Sequence, residues 1–383
     1  MIIRDAKQTL ISLSRQFKAV AVVGPRQSGK TTLVKSVFKQ LPYVNLENPD
    51  IRNFAINDTR GFIEQYKQGA ILDEAQRVPE LFSYLQQILD ESNQPGKFII
   101  TGSNNFLLQE NISQSLAGRV GYLFLLPFTS RELNLDTNLN KILHEGLYPP
   151  IYDQLVEPAK WYLNYIRTYI ERDVRQIKNI TNLHLFEKFL RLCAGRIGQL
   201  LNMSSLAIEA GVDSKTIASW IGVLEASFII FRLQPHYVNF NKRLVKMSKL
   251  YFYDTGIVCS LIGIKNEQQL FLHHLRGSIF ENFVITELIK NKYNKAEANN
   301  LYFWRDNSGN EIDIVCDNAD NLLPVEIKSG KTITDEYFKS LNFWQRISGE
   351  KTGKIIYAGK NTQKRSNNIT VLPWTKIHEV FDV

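Results

Sequence analysis

Gly24-Pro25-Arg26-Gln27-Ser28-Gly29-Lys30-Thr31 decides the reading of the first part of this chain. It satisfies the whole G-x-x-x-x-G-K-[ST] pattern of a phosphate-binding loop. The run before it, Ala19-Val20-Ala21-Val22-Val23, is apolar and β-branched, as a buried parallel strand requires. The run after it, Thr32 to Phe38, has helical spacing. Strand, loop and helix therefore follow in the order the motif needs. Two glycines let successive N–H groups curl around a phosphate chain, and the helix N-terminus adds partial positive charge. Gly24, Gln27, Ser28, Gly29, Lys30, Thr31 and Thr32 are the candidate nucleotide contacts. Lys30 would reach the outer phosphates, and the Thr31 hydroxyl would ligate Mg2+.

Gly69-Ala70-Ile71-Leu72-Asp73-Glu74-Ala75-Gln76 reads as a second buried strand, ending in two adjacent carboxylates. A strand interior would not tolerate them unpaired, so they belong at its C-terminal edge, where ligands sit in open α/β sheets. There Asp73 would hold Mg2+ through its shell, and Glu74 would act as general base toward water. A third strand, Lys97 to Ser103, leads to Asn104, a candidate for touching the terminal phosphate. Gly-Ser-Asn is also plain turn chemistry. Arg119 is a candidate arginine finger acting on a neighbouring subunit, with Arg131 a lesser one; a surface salt bridge is the other reading of Arg119.

The 383 residues allow two or three domains, and 44% hydrophobic content is ordinary for a globular protein. No apolar run reaches the roughly 18 residues that span a bilayer. The start, Met1-Ile2-Ile3-Arg4-Asp5, has no signal-peptide pattern, and Cys193, Cys259 and Cys316 are sparse, so a cytoplasmic location without disulfides is expected. Residues 151–250 hold 14 Lys and Arg against 8 Asp and Glu, six of the eight net positive charges. That basic middle suits a polyanion, or a solvated basic surface.

The phosphate loop, Leu72-Asp73-Glu74-Ala75-Gln76, Thr101-Gly102-Ser103 and Leu116-Ala117-Gly118-Arg119-Val120 with Leu126-Pro127-Phe128 together resemble one family. It is the AAA-type ATPases of bacteria and archaea that carry a C-terminal domain of unassigned function, DUF4143. The likeness continues through Glu145–Pro150 and Tyr169–Val174 and covers the whole chain. It implies an α/β protein. An AAA+ ATPase domain using ATP and Mg2+ would fill 1–135, a helical and winged-helix segment 136–245, and a nuclease-like domain 246–383. A finger acting in trans implies a homo-oligomer.

In the middle, Trp161, Tyr165, Ile166, Tyr169 and Ile170 recur at helical intervals and mark a buried stripe, while Arg167, Arg172, Arg175 and Lys178 fall on other faces. Met203 to Ile221 then reads as helix, turn, helix, with Gly211 as C-cap and Asp213 or Ser214 as the next N-cap. The second helix offers Lys215, Thr216, Ser219 and Trp220 to a DNA groove, a thin set, and a purely structural winged helix stands beside that reading. Ala226 to Leu233 reads as a wing strand. Lys242, Arg243, Lys246 and Lys249 form a basic run that could grip phosphates of a nucleic acid, DNA before RNA.

The last third opens with an expected amphipathic helix, Arg276 to Ile289, followed by three strands. Period two places Asp313 opposite Ile312 and Ile314, and sets Glu326 and Lys328 on one face. On neighbouring strands Asp313, Glu326 and Lys328 converge. Two carboxylates suit Mg2+ or Mn2+, and the lysine could activate water beside them. This order resembles the PD-(D/E)xK nucleases. The resemblance adds Glu281 as a third acidic ligand and Lys328 as catalytic lysine. Ile312 stands where those enzymes often have proline.

Overall fold

The computed structural model describes residues 2–382 except 104–107, 109–111, 113, 136–137, 171–181 and 238–243, and only the backbone of 169 and 170. Asn104, Arg172, Arg175, Lys178, Lys242 and Arg243 therefore lie outside the described residues.

The first sheet contains β1 (Ala19–Val23), β2 (Tyr43–Asn45), β3 (Ala70–Asp73), β4 (Phe98–Gly102) and β5 (Val120–Phe124). They are all parallel, in the order β2-β3-β4-β1-β5. Every residue of β1, β3 and β4 is buried, as expected for strands covered on both faces. Alternation sorts them. Val20 and Val22 face the helices Lys7–Gln16 and Lys30–Val37, while Ala19, Ala21 and Val23 face the core shared with the rest of the chain.

The middle packs the helices Leu183–Ala194, Met203–Ala210 and Ser214–Ala226 beside an antiparallel pair, β6 (Ile230–Leu233) and β7 (Lys249–Phe252). Gly211 ends one helix at φ 82°, and the Asp213 carboxylate caps the next through the Thr216 amide at 2.8 Å. Three expectations need correction. Trp220 is not presented to solvent but packs between Phe186 and Phe189, because a large aromatic on that face fills the three-helix core. The wing strand is shorter than read, since Ser214–Ala226 stays helical and the chain turns at Phe228 before β6. Lys249 is 4% exposed and points into a cluster of carboxylates rather than outward.

The second sheet contains β8 (Leu301–Arg305), β9 (Glu311–Asp317), β10 (Leu322–Lys328), β11 (Gly353–Tyr357), β12 (Gln363–Lys364) and β13 (Ile369–Pro373). Its order is β12-β13-β11-β10-β9-β8, with β9 antiparallel to both β8 and β10, and with β10, β11 and β13 parallel. Trp304, Ile312, Leu341 and Trp344 close one face under the helix Lys339–Ser348. The helix Arg276–Asn294 covers the other face. It is not amphipathic as expected: it is buried at every position from 282 to 290, because the first sheet and the C-terminal sheet enclose it from two sides. Among the described residues no helix is long and apolar enough to cross a membrane.

Candidate functional site

Because β4 lies between β1 and β3, the loops leaving their C-terminal ends meet at one sheet edge. Asp73 ends β3 there, and three hydroxyls converge on it. Thr31 and Tyr43 donate to Oδ2 at 3.0 and 2.6 Å, and Thr101 of β4 donates to Oδ1. Burial first, and then the adjacent Asp73 carboxylate, push the Tyr43 phenol well above its ordinary range. Glu74 follows in the left-handed region at φ 55°, an uncommon conformation for a residue with a side chain. Gln76 and Ser103 donate to its Oε2 at 2.6 and 2.9 Å.

The loop itself is built for close approach. A Cβ on Gly24 would meet the Leu125 carbonyl oxygen at 2.1 Å, and Gly29 sits at φ 91°. The Lys30 ammonium donates to the carbonyls of Gly24 and Pro25 at 2.9 and 2.8 Å. The buried Ser28 hydroxyl has no hydrogen-bond partner. A cavity of about 540 Å3 opens over Gln27, Gly29, Lys30, Thr31, Thr32 and Glu74. Its far wall is apolar: Ile2, Ile3, Phe128, Pro149, Pro150 and Trp161. A polar floor and an apolar wall at that volume fit a nucleotide's phosphates and base.

The structure does not bring Arg119 to this cavity within its own chain. Its carbonyl accepts from the Ala19 amide at 3.1 Å, which puts it at the N-terminal end of β1, across the sheet from the loop. Its guanidinium holds Asp90 by two bonds of 2.5 and 2.9 Å. Arg131 pairs with Asp5. Arg4 lies closer to the loop than either. It is 7% exposed and donates to the carbonyls of Ser28 and Leu126 at 2.7 and 2.6 Å and to Glu132 at 3.0 Å.

The second cluster lies on the C-terminal sheet. Val325 pairs with Ile314, which sets Glu326 beside Asp313. Asp313 accepts from the Ile327 amide at 2.7 Å, and Glu326 Oε2 accepts from Lys328 at 2.5 Å. Glu281 reaches in from the helix Arg276–Asn294, but Tyr251 and Lys249 already donate to its Oε1 at 2.5 and 3.3 Å. Lys249 also pairs with Glu311. Burial raises the carboxyls of Glu281, Asp313 and Glu326, and mutual repulsion adds to it. Among the described residues no group of three or more His, Cys, Asp or Glu side chains is disposed to hold a metal ion. The structure therefore brings Asp313, Glu326 and Lys328 together, and places Glu281 against a lysine.

Three family models match consecutive parts of the chain. Residues 16–134 match an AAA domain, residues 136–268 a domain of unknown function, DUF8612, and residues 276–377 a domain of unknown function, DUF4143. The chain's first part is thus similar to AAA domains and its last part to DUF4143 domains. An uncharacterized protein of Mycobacterium tuberculosis is 29% identical over 377 residues, covering 98% of this chain and 84% of that protein. One of Methanocaldococcus jannaschii is 25% identical over 414 residues, covering 93% and 83%. Among solved structures, a Walker-type ATPase of Pyrococcus abyssi matches with 14% identity, 68% and 96% coverage and a TM-score of 0.45. AMPPCP-bound DnaA of Aquifex aeolicus matches with 13% identity, 57% and 85% coverage and a TM-score of 0.31.

Several site residues escaped the reading of the chain. Tyr43 shows only once β2 is known to pair with β3. Arg4 lies 24 residues before Ser28 in the chain, too far for a local pattern to link them. Pro149, Pro150 and Trp161 come from the segment after residue 135, where Trp161 was read only as part of a buried helical stripe. Lys249 and Tyr251 carry period-two spacing on β7, but nothing local says that β7 faces Glu281.

Proposed function

We propose that this protein binds ATP with Mg2+ at the Gly24–Thr31 loop and hydrolyses it. The observation that carries this reading is the convergence of Thr31 and Thr101 on Asp73, with Glu74 one residue beyond. Mg2+, when bound, would neutralise charge between the phosphates; Thr31 and Asp73 would hold it directly and through its water shell. Lys30 leaves its two carbonyls to meet the outer phosphates. Glu74, held by Gln76 and Ser103, takes a proton from the attacking water. The apolar wall around Trp161 receives the base. The test is a pair of variants. Lys30→Ala should lose nucleotide binding by calorimetry, and Glu74→Gln should keep ATP binding and lose phosphate release. A Glu74→Gln variant that hydrolyses ATP like the wild type rejects the assignment of the base.

A second reading concerns the C-terminal cluster, and its specific support is the buried Glu326 Oε1, which has no hydrogen-bond partner. We propose that Asp313 and Glu326 hold Mg2+ or Mn2+ and that Lys328 orients water for phosphodiester cleavage in nucleic acid, DNA before RNA. The basic middle would hold the backbone, and Arg119 would act on the nucleotide of a neighbouring copy. Plasmid and linear DNA, each metal, with and without ATP, beside Lys328→Ala, test this. Cleavage absent in wild type, together with an Asp313→Ala variant that retains function in cells, favours an ATP-controlled binding switch on a silent nuclease-like fold instead.

A further inference from the structure

The C-terminal cluster receives two side chains that its own sheet and helix do not supply. Lys249 and Tyr251 lie two residues apart on β7, on one face of a strand from the middle segment. Both end on Glu281 Oε1, and Lys249 reaches Glu311 as well. Arg305 holds the other Glu311 oxygen at 3.1 Å. Lys249 is 4% exposed, so its charge is fixed in place rather than shared with solvent. Glu281 and Glu311 are thus neutralised before any cation arrives. Across the cluster the balance differs. Among the described residues Lys328 holds Glu326 Oε2, the Ile327 amide holds Asp313 Oδ2, and Glu326 Oε1 is buried with no hydrogen-bond partner. A buried carboxylate oxygen with no donor is costly, and a divalent cation is the partner that removes the cost.

We infer that Lys249 acts as an internal counter-ion that excludes Glu281 and Glu311 from the metal, so that the site takes a single divalent cation on Asp313 and Glu326. Tyr251 is a positioning residue that keeps Glu281 turned toward the lysine. The site is then composite: the middle segment decides how many carboxylates the C-terminal sheet offers a metal. The inference rests on the metal site proposed above.

The test uses the full chain without nucleotide and Mn2+ as probe, followed by electron paramagnetic resonance and calorimetry. The wild type is expected to bind about one Mn2+, lost in Asp313→Asn. Glu281→Gln is expected to keep the single Mn2+, weakened only as the loss of one nearby charge requires, because Glu281 is not a ligand. Lys249→Met is expected to tighten Mn2+ at least about tenfold or admit a second ion, since a unit charge a few ångströms away outweighs a factor of ten at protein-like screening. Lys249→Arg, which keeps the charge, should behave as wild type. A Glu281→Gln variant that loses Mn2+ altogether, as Asp313→Asn does, or a folded Lys249→Met with unchanged affinity, overturns the inference. A wild type that binds no Mn2+ removes the metal site and the inference with it. If Lys249→Met does not fold, Glu281→Gln and Lys249→Arg still decide.

Discussion

Asp73 ends β3 and Glu326 lies two residues before the end of β10, and their surroundings are opposite in kind. Asp73 is held by neutral hydroxyls from Thr31, Tyr43 and Thr101. Glu326 and its neighbours are held by ammonium groups, Lys328 and Lys249. A hydroxyl can rotate and yield its acceptor to an incoming cation at little electrostatic cost. An ammonium must be displaced against Coulomb attraction, or stay and keep the cation out. The first arrangement leaves a negative charge ready for Mg2+ each time a nucleotide arrives. The second stores its charge balance inside the protein and exposes only what the lysines leave over. Two acidic strand residues thus differ in how readily they trade their partners.

The largest break in this comparison is expected at Glu74. Replacing the base with Gln should lower ATP turnover by roughly 10²- to 10⁴-fold, the usual share of general base catalysis, with ATP affinity retained. Next comes Arg4. Arg4→Met removes one member of a buried ion pair, and Glu132 is fully enclosed. The expected loss is about 3–5 kcal/mol in denaturant midpoint measurements. Because Arg4 also props the Ser28 carbonyl, residual protein should show a raised KM for ATP more than a lowered kcat. Thr101→Val is smaller. It leaves Asp73 one donor short, at about 1–3 kcal/mol, and should raise the Mg2+ concentration needed for half-maximal turnover. Thr101→Ser should restore both. A Thr101→Val variant with unaltered Mg2+ dependence would remove the hydroxyl-exchange account of this site.

The phosphate loop and the Leu72-Asp73-Glu74 strand end were legible because their chemistry is local. Glycine conformations, a helix start and a strand end lie within a few residues. Asp313, Glu326 and Lys328 were legible because period two on adjacent strands brings them to one face. Trp220 was misread because a helical pattern shows which residues share a face, but not which face the neighbouring helix Leu183–Ala194 covers. Lys249 was misread for a related reason. Among exposed lysines it looks like one more phosphate contact, and only the packing of β7 against the helix Arg276–Asn294 turns it inward. Arg119 is a different case: the sheet order puts it at the far end of β1 and β5, away from the loop of its own chain, which bears only on action in cis.

The smallest expected effect is also the one that separates the two sites by pH. Burial, and then the charge of Asp313, raise the Glu326 carboxyl from an ordinary 4.5 to about 8, with Lys328 opposing. A folded-state acid raised in this way binds its proton more tightly than the unfolded chain does. Its contribution to stability is therefore full below about pH 4.5 and is lost as pH rises through about 8. In metal-free buffer the melting temperature should consequently drift down between those limits from this cluster. A divalent cation replaces the proton on the buried oxygen, so Mn2+ should flatten that part of the curve and stabilise more at pH 8 than at pH 5. Glu326→Gln should abolish both the drift and its correction by metal, while Tyr43→Phe at the other site should change neither. Equal stabilisation by Mn2+ at the two pH values would mean that the proton and the metal do not share Glu326, and that its orphaned oxygen is satisfied in some other way.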